Sequence, residues 1–200
     1  MGLQSSAADS HLSVILLQQA RAGEQAALGQ LLERLRPWLR VLADGRLGSR
    51  LAARLDASDV VQQTCLSIYK RIQQFEGEEI SQFMAWVREI HYRNILDEVR
   101  RHLLVQERSV DREQRLGEVD VTFLVQESPR PTLFVGEDAV RLAEALEHLP
   151  ESQRKVIAMR YLEELPVARI TQLMDLSADA VTSLIRRGLQ QLRTRLPPVE

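Results

Sequence analysis

The chain is 200 residues long, 44% hydrophobic and 27% charged, with a formal net charge of −2. That length is enough for one or two domains with buried cores. No apolar run reaches the roughly 20 residues that cross a bilayer, and no charged segment precedes the short apolar stretch 14–17, so a cytoplasmic protein without membrane insertion is expected.

The single cysteine, Cys65, excludes an internal disulfide and a cysteine-rich zinc site. Nine Gly, seven Pro and no long β-branched alternation predict an all-α chain. Charge is unevenly spread. Residues 29–102 carry 12 basic and 10 acidic side chains, residues 103–140 carry 4 and 8, and residues 141–200 carry 9 and 8. Two faintly basic blocks around an acidic middle predict two small helical domains joined by a flexible linker.

In chain order, residues 1–10 are small and polar and predict a disordered tail. A first helix from Leu12 to Ala22 should stop at Gly23, making residues 1–23 a tail plus one helix. A second runs from about Glu24 to Ala43, with Leu28, Leu31, Leu32, Leu35, Leu39 and Leu42 on one face. Pro37 should kink or split it, and Asp44-Gly45 with Gly48 marks a loop.

The next helix begins near Asp56 or Ser58, both suitable caps. Val61, Cys65, Ile68, Ile72 and Phe75 form its inner stripe, and the opposite face carries Asp59, Gln62, Gln63 and Lys70. After the turn Glu76-Gly77-Glu78-Glu79, Ser81 opens another helix. Phe83, Trp86, Val87, Ile90, Ile95, Leu96 and Val99 are its apolar side, which closes a domain at about residue 102. Trp86 should anchor the core. The other faces carry Arg88, His91, Tyr92, Arg93, Asn94, Arg100 and Arg101. Basic side chains among a Tyr, a His and an Asn suit phosphates and unpaired bases, and equally a solvated charged face.

Residues 103–137 show no sustained periodicity. Val121–Val125 could pass for a strand but has no partner nearby, and Ser128-Pro129-Arg130-Pro131 disfavours helix. This stretch is the expected acidic linker.

From residue 138 to 197 a second domain follows. Val167, Ile170, Leu173 and Met174 recur at helical spacing, Asp175-Leu176-Ser177 interrupts them, and Ser177 can cap a further helix. Val181, Leu184, Ile185, Leu189, Leu192 and Leu196 make its inner stripe, while Asp179, Thr182, Ser183, Arg186, Arg187 and Gln190 project outward. This is the outline of a helix-turn-helix whose second helix enters the DNA major groove. Two helices of an ordinary bundle share it.

Catalysis finds no support. His11, His91, His102 and His148 are scattered, without a His-Glu-x-x-His pair. Gly-rich phosphate loops and a Gly-x-Ser-x-Gly elbow are absent too. No enzyme, cofactor or metal is expected.

The order of motifs decides between these readings. Asp56-Ala57-Ser58-Asp59-Val60-Val61-Gln62-Gln63-Thr64, then Phe75-Glu76-Gly77, then Phe83 through Ile90, Arg93-Asn94 and Asp97 through Arg101 resembles domain 2 of bacterial sigma factors, above all the small extracytoplasmic-function (ECF) type of the sigma-70 family. Leu149-Pro150-Glu151-Ser152-Gln153-Arg154 through Leu196 resembles that family's domain 4. The resemblance implies a transcription initiation factor that binds core RNA polymerase and directs it to promoters.

It also implies roles. Asp56, Asp59, Gln62 and Gln63 would dock on the clamp helices of the polymerase largest subunit. Arg88, Tyr92, Arg93, Asn94, Arg100 and Arg101, with the turn Gln74–Ser81, would serve the −10 element and its melted strand. Ser177, Asp179, Thr182, Ser183, Arg186 and Arg187 would meet the −35 element, with the β-flap held by the preceding helices. The linker would thread through the polymerase, and an anti-sigma factor is a further partner the family admits.

The sequence departs from the family at Asp175, where a Gly is usual, and at Arg169-Ile170-Thr171, where Glu-Ile-Ala is common. Thr182 and Leu184 stand where a Lys and an Arg are frequent. Basic −35 contacts then fall to Arg186 and Arg187, with Arg193 beyond. A stand-alone helix-turn-helix regulator would account for residues 150–196 but not for Asp56–Arg101. A helical adaptor would have no effect on transcription.

Overall fold

The computed structural model describes residues 2–52, 56–109 and 137–194. Every regular element among them is helical: α1 (Gly2–Arg21), α2 (Gln25–Ala52), α3 (Ala57–Arg71) with a 3-10 turn (Ile72–Gln74), α4 (Ile80–Ser109), α5 (Glu137–Glu147), α6 (Glu151–Ile157) running into a π-turn (Ala158–Leu162), α7 (Val167–Met174) and α8 (Ala178–Arg193). Among the described residues no helix is long and apolar enough to cross a membrane, and no cluster of His, Cys, Asp or Glu could hold a metal.

The leucine stripe of α2 organises the rest. Leu28, Leu31, Leu32, Leu35, Leu39 and Leu42 are all buried, and fully burying such a side chain is worth roughly 1.5–3 kcal/mol. Helices α1, α3 and α4 pack on α2, and so do α5, α6, the π-turn and α7. Two small helical domains, α1–α4 and α5–α8, therefore share one helix as common ground. Their apolar interiors form one continuous cluster.

Helix α1 ends where Gly23 takes a left-handed φ of 100°, and the Gly23 N–H donates to the Ala20 carbonyl at 3.1 Å. That is the conformation glycine adopts without a Cβ penalty. Helix α3 is capped by Asp56, whose carboxylate accepts the Ser58 N–H at 2.8 Å. The start of α4 is held by Gln82 in its first turn, whose Oε1 accepts the N–H groups of Glu78 (2.9 Å) and Glu79 (3.2 Å). Phe75, Phe83 and Trp86 then lock α3 to α4, with Phe75 edge-on to Phe83 at 5.4 Å and Trp86 half-buried against both.

Local expectations are corrected at several points. Residues 2–10 belong to α1 rather than to a disordered tail. Pro37 lies inside α2 without dividing it, and the expected loop at Asp44, Gly45 and Gly48 is the continuing helix. The cause is tertiary: Val41, Leu42 and Ala43 are buried, and a Cβ on Gly45 would lie 3.7 Å from Ala158 Cβ. Packing against the second domain overrides the weak local preference of Asp and Gly. Helix α4 also runs beyond residue 102, to Ser109. The strand candidate Val121–Val125 and most of the linker lie outside the described residues.

Between α3 and α4 sits a small polar network. The Thr64 hydroxyl lies 2.8 Å from both the Val60 carbonyl and His91 Nδ1, and the Asn94 amide donates to Thr64 (3.2 Å) and Ser67 (3.3 Å). Burial pushes the His91 imidazole down from 6.5 to about 3, opposed only in part by the Leu39 backbone carbonyl. The unfolded chain takes up this proton near pH 6.5, whereas the fold refuses it until about pH 3. Stability therefore falls as pH drops through that window. Going from pH 7 to 5 should cost about 2 kcal/mol, read as a lower urea midpoint. His91→Gln should flatten this slope. An unchanged slope would remove His91 from the acid sensitivity.

Candidate polymerase and promoter interfaces

Helix α3 turns Val60, Val61, Thr64, Cys65 and Ile68 inward and leaves Asp59, Gln62 and Gln63 exposed. Asp56, also exposed, spends one carboxylate oxygen on the cap. Two further residues on this surface escaped the sequence reading: Leu66 is 53% exposed and Tyr69 50%. Asp59, Gln62, Leu66 and Tyr69 follow one another at spacings of three and four, so they share one face. Neighbouring apolar side chains on an exposed helix face suit a partner surface. The signal was present in the sequence, because neither residue fits the inner stripe.

The six α4 candidates divide into two groups. Arg93, Arg100 and Arg101 are exposed, each paired along the helix, with Glu89 (3.0 Å), Asp97 (3.6 Å) and Glu98 respectively. Such exposed pairs contribute little, so these guanidinium groups can exchange partners. Arg88 and Tyr92 instead face inward and are buried, and Asn94 is half-buried in the Thr64 network. Arg88, expected on a phosphate-facing surface, here meets the second domain at Leu162 and Glu163.

That contact is made by the end of the π-turn. Glu163 is buried and ion-paired with Arg46 of α2. Arg88 donates to the Leu162 carbonyl at 3.2 Å and lies 3.9 Å from the Glu163 carboxylate. The Arg46 guanidinium also sits 4.9 Å from the Tyr92 ring centroid, a cation–π distance. Burial pulls Arg88 below its ordinary value, and Glu163 counters that pull. At the rim, Arg154 reaches Asp44 at 3.5 Å. Burial raises the Asp44 carboxyl, and Arg154 opposes the rise.

In the second domain, α7, a three-residue turn and α8 have the expected bounds. Ser177 Oγ accepts the Ala180 N–H at 3.2 Å. Asp175 adopts the left-handed conformation, φ 55° and ψ 46°, which explains why glycine suits this position. Asp179, Thr182, Arg186 and Arg187 are exposed on α8, with Ser183 half-buried beside them. Thr182 returns its hydroxyl proton to the Ala178 carbonyl at 2.8 Å, and Arg187 Nε donates to the Ser183 carbonyl at 3.3 Å. Gly188 allows α8 to close on α6: a Cβ there would stand 2.4 Å from Ile157 Cδ1.

Residues 31–103 match the family model for Sigma-70 region 2, and residues 139–192 match that for Sigma-70, region 4. Among curated proteins the chain is similar to the ECF RNA polymerase sigma-E factor of Haemophilus influenzae, 25% identical over 190 residues, covering 92% of this chain and 95% of that protein. The Escherichia coli K12 sigma-E factor is likewise 25% identical, at 92% and 94% coverage. Among solved structures it is similar to CnrH in complex with the cytosolic domain of CnrY, at 23% identity, 92% and 96% coverage and a TM-score of 0.40. The sigma factor RpoE in complex with the anti-sigma factor NepR from Bartonella quintana gives 20%, 83% and 94%, with a TM-score of 0.35. With both sigma regions in order and together covering more than half of the chain, the protein belongs to the sigma-70 family, in its ECF group, as a transcription initiation factor whose partners are core RNA polymerase and promoter DNA.

Proposed function

We propose that residues 24–102 form the polymerase-docking and −10 module and residues 138–197 the −35 module, working in the cytoplasm. The observation that carries the docking part is the α3 face: Asp59, Gln62, Leu66 and Tyr69 offer one charge, one amide and two exposed apolar groups along a single stripe. With Asp56 and Gln63 beside it, this face meets the clamp helices of the largest subunit. Helix α4 and the turn at Gln74–Ser81 take the −10 element. Arg93, Arg100 and Arg101 hold phosphates there, and Arg88, Tyr92 and Asn94, which lie inward in this structure, are assigned to the same element. Helix α8 enters the major groove at −35 through Ser177, Asp179, Thr182, Ser183, Arg186 and Arg187, while α5 and α6 meet the β-flap. The chain's role is recognition, not catalysis. An anti-sigma factor is proposed as a regulatory partner.

Capturing a base from the melted strand costs unstacking energy of a few kcal/mol, which protein contacts must offset. Arg93→Ala tests this most cleanly among Tyr92, Arg93 and Asn94, since the other two are tied into the interior. It should lower open-complex formation on duplex promoters several-fold, with a preformed −10 bubble restoring most of the loss. Equal defects on bubble and duplex would place Arg93 outside strand capture.

A further inference from the structure

Helices α3 and α4 carry the polymerase-docking and −10 faces, and a short chain of interior hydrogen bonds ties one helix to the other. Thr64 and His91 are buried, with Ser67 and Asn94 half-buried beside them. The Thr64 oxygen meets the Val60 carbonyl and His91 Nδ1, each at 2.8 Å. It also accepts from the Asn94 amide at 3.2 Å, and that amide donates to Ser67 Oγ at 3.3 Å. None of the four belongs to the exposed stripe of Asp59, Gln62, Leu66 and Tyr69, yet Asn94 is the chain neighbour of the exposed Arg93. Apolar contacts between helices tolerate small rotations, because the hydrophobic effect is non-directional. Hydrogen bonds weaken steeply with angle, and a rotation of α4 on α3 would leave buried polar groups unpaired.

We propose that Thr64, Ser67 and His91 are positioning residues for promoter recognition: through Asn94 they fix the angle between the docking face of α3 and the −10 face of α4, and so set the spacer length between −10 and −35 elements that the holoenzyme accepts. The proposal rests on the reading of α3 as the docking helix, α4 as the −10 helix and α8 as the −35 helix. With α3 held on polymerase and α8 on the −35 element, the place where Arg93, Arg100 and Arg101 meet DNA is set by how α4 sits on α3. One base pair more or less moves the −10 element by about 3.4 Å along the duplex and by about a tenth of a turn. A rigid junction cannot follow that displacement, and a loosened one can. Buried polar networks with their partners in place specify a single arrangement of the core more than they add stability.

The test uses the full chain with core polymerase. Its probe is a promoter fragment recovered by run-off transcription with the parent holoenzyme, beside the same fragment with one base pair added or removed between the two elements. Open-complex formation is read on all three fragments, core affinity by titration, and the fold by thermal unfolding. Ser67→Ala removes one hydrogen bond at a half-buried site, Thr64→Val removes the centre of the network at similar volume, and Thr64→Ser keeps the hydroxyl. The parent should open the altered fragments about tenfold less than the original, because the element is displaced from a fixed surface. Ser67→Ala should reduce that discrimination to about fivefold and Thr64→Val to about twofold, the effects of losing one and several neutral hydrogen bonds. Thr64→Ser should return it to nearly the parent value, with core affinity within about twofold throughout. A parent that opens all three fragments alike would overturn the proposal. So would a discrimination unchanged in both Ser67→Ala and Thr64→Val, since equal losses on every fragment mean that the network only holds the fold. If the parent holoenzyme yields no promoter with paired elements, the reading of α4 and α8 fails first, and the proposal falls with it.

Discussion

The charge reversal Asp59→Lys should weaken binding to core RNA polymerase by roughly ten- to a hundredfold, the equivalent of one charge-assisted contact of about 1.5–3 kcal/mol. Asp59 is exposed in the first turn of α3 and heads the stripe continued by Gln62, Leu66 and Tyr69. Its removal leaves the α3–α4 core untouched. The fold loses only a favourable helix-end charge and gains an unfavourable one, about 1 kcal/mol at most. Leu66→Lys should act in the same direction, because it withdraws apolar area from the same contact and exposes nothing new in the free protein. Affinity is read by titrating labelled protein with core enzyme, and the fold by thermal unfolding. Unchanged affinity in both variants would move the docking surface off α3.

A change of the opposite kind is Phe83→Ala, which should destabilise the first domain by about 3–5 kcal/mol. Phe83 is fully buried, edge-on to Phe75 at 5.4 Å and tilted against Trp86 at 5.9 Å. Truncation removes the transfer energy of a large side chain and leaves a cavity between rings that cannot collapse around it. Against the 5–15 kcal/mol by which most domains are stable, that loss is close to unfolding. Denaturant titration of the full chain should show a much lower midpoint. A loss under about 1 kcal/mol would mean the aromatic cluster does not hold α3 to α4.

The helical stripes were legible because burial repeats at helical spacing. The leucines of α2, the inner face of α3 and the α7–turn–α8 unit lie where the periodicity puts them, and Ser177 and Gly23 mark an end by chemistry that acts within one turn. What was not legible depends on residues far away in the chain. Arg88 and Tyr92 read as outward-facing because nothing within α4 says that Leu162 and Glu163 meet Arg88, or that Arg46 of α2 lies over the Tyr92 ring. Asp44 and Gly45 read as a loop for the same reason: the packing of that stretch against the second domain, with Ala158 beside Gly45 and Arg154 on Asp44, is not visible in local preference. Leu66 and Tyr69 differ. Their exposure could have been inferred from spacing alone, and they strengthen the docking face that Asp59 and Gln62 first suggested.

Run-off transcription with purified core polymerase over a pool of genomic fragments separates an initiation factor from a stand-alone regulator. With the chain added, a small set of new, discrete 5′ ends is expected, whose upstream sequences share paired −10 and −35 elements at fixed spacing, lost when Asp59→Lys replaces the parent. Transcripts that are the same with and without the chain, alongside specific submicromolar binding of duplex DNA by the free protein at about 0.15 M salt, would contradict it.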